Sequence, residues 1–220
     1  MSAGDISRAR MVRELESRGI ADRRVLEAMA RTPREPFVEE ALRSKAYGDT
    51  PLPIGEGQTI SQPWIVARMC ELAEPDGTGR VLEIGSGSGY HAAVLSRLFE
   101  QVYSVERLPT FSKRAREAVR SLGVENVHFK IFDGSYGWSE FAPYRAVVVT
   151  ASAPDVPAPL IDQLDDGGRL VIPISAAGPA DVESSDQTLV RFVKAKPGIL
   201  RNEYGPCRFV PLVGKYGWTS

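Results

Sequence analysis

The chain has 220 residues, of which 43% are apolar and 25% charged, ordinary values for a soluble globular protein with material for a sizeable core. Lys and Arg total 27 against 28 Asp and Glu, a formal net charge of −1, which argues against a general polyanion binder. No apolar run reaches the roughly 18 residues of a membrane-spanning helix, and Met1-Ser2-Ala3-Gly4-Asp5 leads into charged sequence without a secretory apolar stretch. Two cysteines, Cys70 and Cys207, form no CxxC pair, and the two histidines, His91 and His128, lie far apart, so disulfide scaffolds and metal sites are excluded as expectations. The expectation is a cytoplasmic α/β-type enzyme or binding domain, acting on neither nucleic acid nor membrane.

Residues 7–45 carry Val12, Leu15, Ile20, Val25, Leu26 and Met29 at helical spacings, punctuated by Thr32-Pro33 and Glu35-Pro36. Residues 47–63 show no sustained periodicity and read as a long ordered loop or a set of turns; loops of that length in compact domains tend to be functional. Trp64–Leu72 reads as a helix. Short apolar runs then predict strands at Val81–Ile84, Val102–Val105, Val127–Ile131, Ala146–Thr150 and Arg169–Ile174. Helices fall between them at Tyr90–Leu98, Pro109–Leu122 and Val156–Leu164, the last capped by Gly167-Gly168. Residues 175–187 are polar and acidic and read as a mobile surface loop, followed by strands at Thr188–Lys194 and Cys207–Val213. Alternating strands and helices imply βαβ units: a Rossmann-like, doubly wound, mostly parallel α/β sheet with helices on both faces and a helical N-terminal extension. The whole chain, 1–220, reads as one domain, with 1–75 as helical extension and active-site loop, 76–174 as nucleotide-binding core and 175–220 as polar loop and C-terminal strands.

The segment Val81-Leu82-Glu83-Ile84-Gly85-Ser86-Gly87-Ser88-Gly89-Tyr90 places glycines where a strand ends and a helix begins. Glycines permit the tight turn and close approach of a ligand to the backbone, at the ligand crevice of an open α/β sheet. The spacing is G-x-G-x-G and not the dinucleotide G-x-G-x-x-G, and Glu83 would oppose a pyrophosphate but favour an ammonium group. Glu106 closes the second strand and suits two ribose hydroxyls. Asp133-Gly134 follows the third strand, beside a place for adenine. Together these positions resemble the class I S-adenosylmethionine-dependent methyltransferases.

The preceding loop narrows the likeness. Tyr47-Gly48-Asp49-Thr50-Pro51-Leu52-Pro53-Ile54-Gly55-Glu56-Gly57-Gln58-Thr59-Ile60-Ser61-Gln62-Pro63 closely resembles the signature of the protein-L-isoaspartate O-methyltransferase family. Asp133–Trp138, Val149–Pro154, Gly167–Pro173 and Arg208–Leu212 look like the same family, so the resemblance runs from about residue 8 to 214. It implies methyl transfer from S-adenosyl-L-methionine to the side-chain-positioned, free carboxylate of L-isoaspartyl residues in damaged proteins and peptides, giving an ester that closes to a succinimide and opens partly to normal aspartate. Some members also accept D-aspartyl residues. The product is S-adenosyl-L-homocysteine, and no metal takes part. The resemblance also implies a cytoplasmic monomer whose partners are isoaspartyl-containing proteins.

By that resemblance Ser61 is the active-site hydroxyl, orienting one carboxylate oxygen without being a nucleophile; a carboxylate of pKa near 4 is ionised at pH 7 and needs no strong base. The competing role for Ser61 is a cap for the helix after Pro63. Thr59 and Ile60 shape the pocket wall. Val210 and Leu212 line the peptide groove in a C-terminal strand, or are plain core residues. Cofactor contacts are expected from Ile60, Ser61, Glu83, Gly85, Gly87, Gly89, Glu106, Asp133 and Gly134, and substrate contacts from Thr59, Ser61, Val210 and Leu212. His91 is expected on a helix surface, His128 is structural, Cys70 and Cys207 are ordinary packing residues, and Trp64, Tyr136 and Trp138 either wall the pocket or pack turns. Arg145 stands where the family commonly has aspartate. The alternatives are a carboxylate methyltransferase for a dedicated peptide aspartate, a small-molecule or nucleic-acid methyltransferase, a nicotinamide-dependent oxidoreductase, and a non-catalytic nucleotide-binding module.

Overall fold

A computed structural model describes residues 3–175 and 186–219. The N-terminal region folds as α1 (Ala3–Ser17) and α2 (Arg23–Arg31), the latter capped by the Asp22 carboxylate on the Arg24 N–H at 2.9 Å. Two 3₁₀ turns, Glu35–Phe37 and Glu40–Lys45, follow where the X-Pro pairs stop the helix. The 47–63 stretch is not only turns. It contains a small antiparallel hairpin, β1 (Leu52–Gly55) and β2 (Gln58–Ile60), with Leu52 opposite Ile60 and both buried. The tip is Glu56-Gly57, and both Glu56 and its glycine neighbours have positive φ. Helix α3 (Pro63–Leu72) leaves this hairpin toward the sheet.

The remaining elements are β3 (Arg80–Ile84), α4 (Tyr90–Leu95), β4 (Gln101–Glu106), α5 (Pro109–Ser121), β5 (Val127–Ile131), β6 (Tyr144–Val149), α6 (Ala158–Asp162), β7 (Leu164–Ser175), β8 (Gln187–Ala195) and β9 (Gly198–Cys207). Seven strands form one sheet in the order β5-β4-β3-β6-β7-β8-β9, parallel from β5 to β7 and antiparallel across β7–β8 and β8–β9. The order reverses at β3, which puts the carboxyl ends of β3, β4 and β6 around one crevice.

Side-chain alternation divides the core in two. Val81, Val102, Ala146, Val148 and Val171 face α1 to α5, whereas Leu82, Ile84, Tyr103, Val147 and Val149 face α6 and the 3₁₀ turns near Trp138 and Phe141. Helices thus cover both faces, but unequally. The thin face is closed by aromatics: Tyr103 stacks on Phe141 at 4.4 Å and meets Trp138 edge-on at 5.5 Å.

Two expectations are corrected. Gly167-Gly168 does not cap a helix ending at Leu164; α6 stops at Asp162 and the glycines lie inside β7. The last strand is β9, not Cys207–Val213; residues 208–213 run irregularly, joined to the sheet through the isolated bridge of Pro211 to Ser152. Gly198–Cys207 escapes an alternation rule because it projects beyond the core, with Ile199 and Leu200 49% and 59% exposed. Most of the acidic 175–187 stretch, residues 176–185, lies outside the described residues.

Candidate active site

A cleft of about 640 Å³ opens at the carboxyl ends of β3, β4 and β6, within the usual range for small-molecule sites. Its floor is the glycine turn. Gly85 (φ +94°) has no room for a side chain, because a Cβ there would run into Thr150 Oγ1. Thr150 in turn donates to the carbonyls of Ile84 and Gly85, at 3.0 and 2.8 Å, tying the end of β6 to the turn. Gly89 (φ +88°) does not line the cleft; a Cβ there would meet Ala115 of α5 at 3.0 Å, so its task is helix packing.

Glu106, 8% exposed, lines the cleft at the end of β4. Its Oε2 accepts the Gly87 N–H and its Oε1 the Leu108 N–H, both at 3.0 Å. Each oxygen keeps a lone pair for a further donor, as two vicinal hydroxyls would require. Glu83 is placed differently from the expectation. Alternation turns its side chain under α4 and fully away from solvent, where it accepts from Ser104 Oγ, which lies 2.6 Å from Ser86 Oγ. It meets the turn through two hydroxyls and not by direct contact with the cleft. Burial in apolar surroundings, with the neighbouring Glu106 charge adding to it, pushes the Glu83 carboxyl up to about 8, against the lowering effect of the Ser104 hydrogen bond.

Gly134 lines the cleft beside Ile84, but the Asp133 carboxylate is turned to other work. It accepts from Ser135 N at 2.9 Å, Ser135 Oγ at 2.7 Å and Lys215 N at 2.8 Å, pinning the C-terminal turn to the loop after β5. Tyr136 and Trp138 do not line the cleft; Tyr136 is 40% exposed and Trp138 belongs to the aromatic cluster. His91, expected at a surface, is buried at 8% exposure because α4 sits beneath α3 and not at the rim. Its Nε2 lies 3.3 Å from Cys70 Sγ, and desolvation brings the imidazole down to about 4. His128 is exposed and bonds Gln101 at 2.8 Å. Arg145 pairs with Asp76 at 2.7 Å and is not among the cleft-lining residues, so the departure at that position leaves the cleft untouched.

The opposite wall comes from both ends of the chain. Thr59, Ile60, Ser61, Trp64 and Ile65 approach from one side, and Cys207 to Val213, Val210 and Leu212 included, from the other. Ser61 is half-buried, and its hydroxyl has no partner among the described residues. It does not cap α3. The N-cap position is Gln62, without a side-chain cap, and the Trp64 N–H is taken by Asp49 Oδ1 at 2.8 Å. Ser61 is instead held by its carbonyl, which accepts from Arg34 Nη2 at 2.6 Å. Neither Asp49 nor Arg34 was marked by the sequence pattern: an acidic residue in a turn and one arginine among many carry no local signature.

These residues fit a nucleoside bearing a charged amino-acid tail. The fit rests on the open backbone of the turn, on Glu106 with an acceptor site to spare on each oxygen, and on the close-packed Gly134. Among the described residues no three His, Cys, Asp or Glu side chains gather as a metal-binding group, and no described helix is long and apolar enough to cross a membrane.

The family model for protein-L-isoaspartate(D-aspartate) O-methyltransferase matches residues 6–217. The chain belongs to that family. A protein-L-isoaspartate O-methyltransferase of Geobacter metallireducens is 54% identical over 218 residues, covering 98% of each chain. Its counterpart numbered 2 in Geotalea uraniireducens is 52% identical, over 98% of this chain and 97% of that one. A solved protein-L-isoaspartate O-methyltransferase superposes with a TM-score of 0.84 at 35% identity, over 96% of this chain and 67% of the other. A Plasmodium falciparum protein described as the same enzyme, solved in complex with S-adenosyl-L-homocysteine, gives 0.75 at 26% identity, over 92% and 96%. The family membership accounts for the long wall before the glycine turn. In this isoaspartate methyltransferase the hairpin and α3 stand over the cleft like one jaw, and residues 207–213 like the other.

Proposed function

We propose that this S-adenosylmethionine-dependent enzyme methylates the free carboxylate of L-isoaspartyl residues in damaged proteins and peptides, with Ser61 orienting that carboxylate. The observation that carries the role of Ser61 is its uncommitted hydroxyl, half-buried at the cleft between the two jaws, with the neighbouring helix end already satisfied by Asp49. Bound S-adenosylmethionine supplies a methyl group on a sulfonium, an electrophile that needs no further activation. Glu106, Gly85, Gly87 and Gly134 would hold its nucleoside, with Ile60 closing over it from the jaw. Gly89 and Glu83 would support the turn from behind, and Asp133 the loop that presents Gly134.

Ser61 Oγ donates one hydrogen bond to one oxygen of the acceptor carboxylate, leaving the other free to attack. Thr59, Val210 and Leu212 would flank the peptide on either side. A carboxylate acceptor is already ionised at neutral pH, so no base is demanded, which suits a cleft whose one histidine, His91, is held neutral. Alignment by the jaws is the main source of rate; proximity can contribute up to roughly 7–11 kcal/mol in well-oriented systems.

The reading takes 1–220 as one domain, and the protein as a cytoplasmic monomer with no nucleic-acid or membrane partner. Two free thiols, Cys70 and Cys207, agree with a reducing compartment, and a net charge of −1 speaks against a general polyanion binder. The test is transfer of labelled methyl from S-adenosylmethionine to matched peptides, one with L-isoaspartate and one with L-aspartate, read as base-labile methanol. Transfer to the isoaspartyl peptide alone, with Ser61→Ala reduced about 10- to 100-fold, supports the reading. Equal transfer to both peptides sinks the specificity, and full activity of Ser61→Ala removes the role of the hydroxyl.

A further inference from the structure

Arg34 is the largest fully buried side chain among the described residues, yet no carboxylate lies within ion-pair distance of it. Its Nη2 donates to the Ser61 carbonyl at 2.6 Å. Its Nε and Nη1 have no partner among the described residues. The guanidinium carbon stands 4.6 Å from the centre of the Tyr90 ring, which gives it a cation–π floor. Its own N–H donates to Tyr47 Oη at 3.3 Å, and Tyr47 Oη bonds Glu35 in turn, so the backbone behind the charge is also fixed. A buried, unpaired charge costs stability by several routes. A purely structural site would be served as well by an apolar side chain of similar volume. Guanidinium stays protonated even under strong desolvation, and in a dry interior its field is weakly screened.

We propose that Arg34 is a positioning residue for the acceptor: it fixes the Ser61 backbone from behind and places a buried positive charge that favours the incoming carboxylate at the Ser61 hydroxyl. The proposal rests on the orienting role of Ser61 given above. The arrangement favours an anionic acceptor over its neutral amide and exerts no direct grip on the cofactor, since Arg34 is not among the residues lining the cleft. The Asp49 carboxylate acts on the guanidinium only from beyond ion-pair distance, so Arg34 keeps no contact partner of opposite charge among the described residues.

The experiment compares Arg34→Met, which keeps the stem and removes the charge, with Arg34→Lys, which keeps a charge without the planar fork. Thermal unfolding, the calorimetric Kd for S-adenosylhomocysteine, and KM and kcat for an isoaspartyl peptide are measured for each, with Ser61→Ala alongside. The expected result for Arg34→Met is a folded protein whose S-adenosylhomocysteine Kd stays within about two-fold, while kcat/KM for the peptide falls about ten-fold or more, mainly through KM. Arg34→Lys recovers part of that loss. Wild-type peptide kinetics in Arg34→Met overturn the proposal, as does a parallel loss of S-adenosylhomocysteine affinity. If Arg34→Met does not fold, Arg34→Lys decides alone: a folded Lys variant with unchanged peptide KM and kcat, or with impaired cofactor binding, overturns it. Loss of activity in Ser61→Ala without effect in the Arg34 variants would strike the Arg34 role only; full activity in Ser61→Ala would strike the reading beneath it.

Discussion

Asp49 Oδ1 accepts the Trp64 N–H at 2.8 Å, doing for α3 the work that its neighbour Ser61 would otherwise do. The other carboxylate oxygen pairs with Arg18, and the Trp64 ring lies beneath the same arginine, with its guanidinium 5.3 Å from the ring centre. One acidic side chain therefore leaves the Ser61 hydroxyl uncommitted and ties the jaw to α1.

Asp49→Ala should lower stability by about 1 kcal/mol, the usual cost of a lost cap, which for a chain of this length is roughly 2–4 °C in Tm. Methyl transfer should fall more than stability, because the freed Trp64 N–H competes for the Ser61 hydroxyl. Asp49→Asn keeps the capping oxygen and should retain most activity. Circular-dichroism melting together with peptide kinetics checks both; an inactive Asp49→Asn beside an active Asp49→Ala would reverse the assignment.

Glu106→Gln replaces one acceptor oxygen by an NH₂ facing a backbone N–H, either that of Gly87 or that of Leu108. The glycine turn loses an anchor and the cleft loses half its acceptors for vicinal hydroxyls. Affinity for S-adenosylhomocysteine should drop about ten-fold or more, read by calorimetry. An unchanged Kd would show that Glu106 serves the turn alone.

Stability should depend on pH through Glu83 and His91, in opposite senses. The Glu83 carboxyl sits at about 8 in the folded chain and near its ordinary value when unfolded, so the folded state binds the extra proton between the two. Its contribution is complete below the unfolded pKa and is lost as pH rises toward 8. His91 is held at about 4, so its contribution is present above the ordinary histidine value and is lost as pH falls toward 4. The two slopes oppose each other up to about pH 6.5; above it only Glu83 acts, and stability should decline toward pH 8. Glu83→Gln should flatten that decline in denaturant titrations at a series of pH values. An identical decline in the variant would place its origin elsewhere.

Asp133→Ala removes the acceptor for Ser135 N, Ser135 Oγ and Lys215 N together. The expected cost is about 1–3 kcal/mol, typical of a broken hydrogen-bond network. Amide exchange should show Lys215 and Tyr216 opening first, since the Tyr216 N–H rests on Ser135 Oγ at 3.0 Å. Protection that persists at those amides would mean the C-terminal turn is held by Trp218, whose Nε1 bonds the Ser152 carbonyl at 2.9 Å.

The sheet core was legible because its strands are apolar on both faces: Val81–Ile84 and Val102–Val105, which run into Gly85 and Glu106, fall within β3 and β4, and Ala146–Thr150 overlaps β6 to within one residue at its end. The hairpin at 52–60 was hidden by Pro51 and Pro53, which weaken a strand assignment, and by Glu56 in a left-handed turn conformation that no local rule foresees. β9 was hidden because most of its residues face solvent on both sides, so hydrophobic alternation had nothing to report. At the site, Gly85, Gly87 and Glu106 carry their meaning locally, in a strand–turn–helix pattern. His91 and Glu83 do not; whether they meet water depends on how α3 and α4 are laid on the sheet. Arg34 reaches Ser61 across 27 positions of sequence, a distance over which spacing predicts nothing.

The floor of the cleft comes from residues 84–151, whereas its two jaws come from 51–66 and 206–213. A ribosome emitting this chain thus completes the nucleotide-holding turn well before the second jaw exists. Until residues near Leu212 have docked on Ser152, through the pair of backbone hydrogen bonds at 2.7 and 2.8 Å that fastens this segment, a half-made molecule has one side of a vice. Such a molecule has nothing to clamp a damaged peptide against. The wall that closes the cleft is thus the last of its parts to be made and the last to dock.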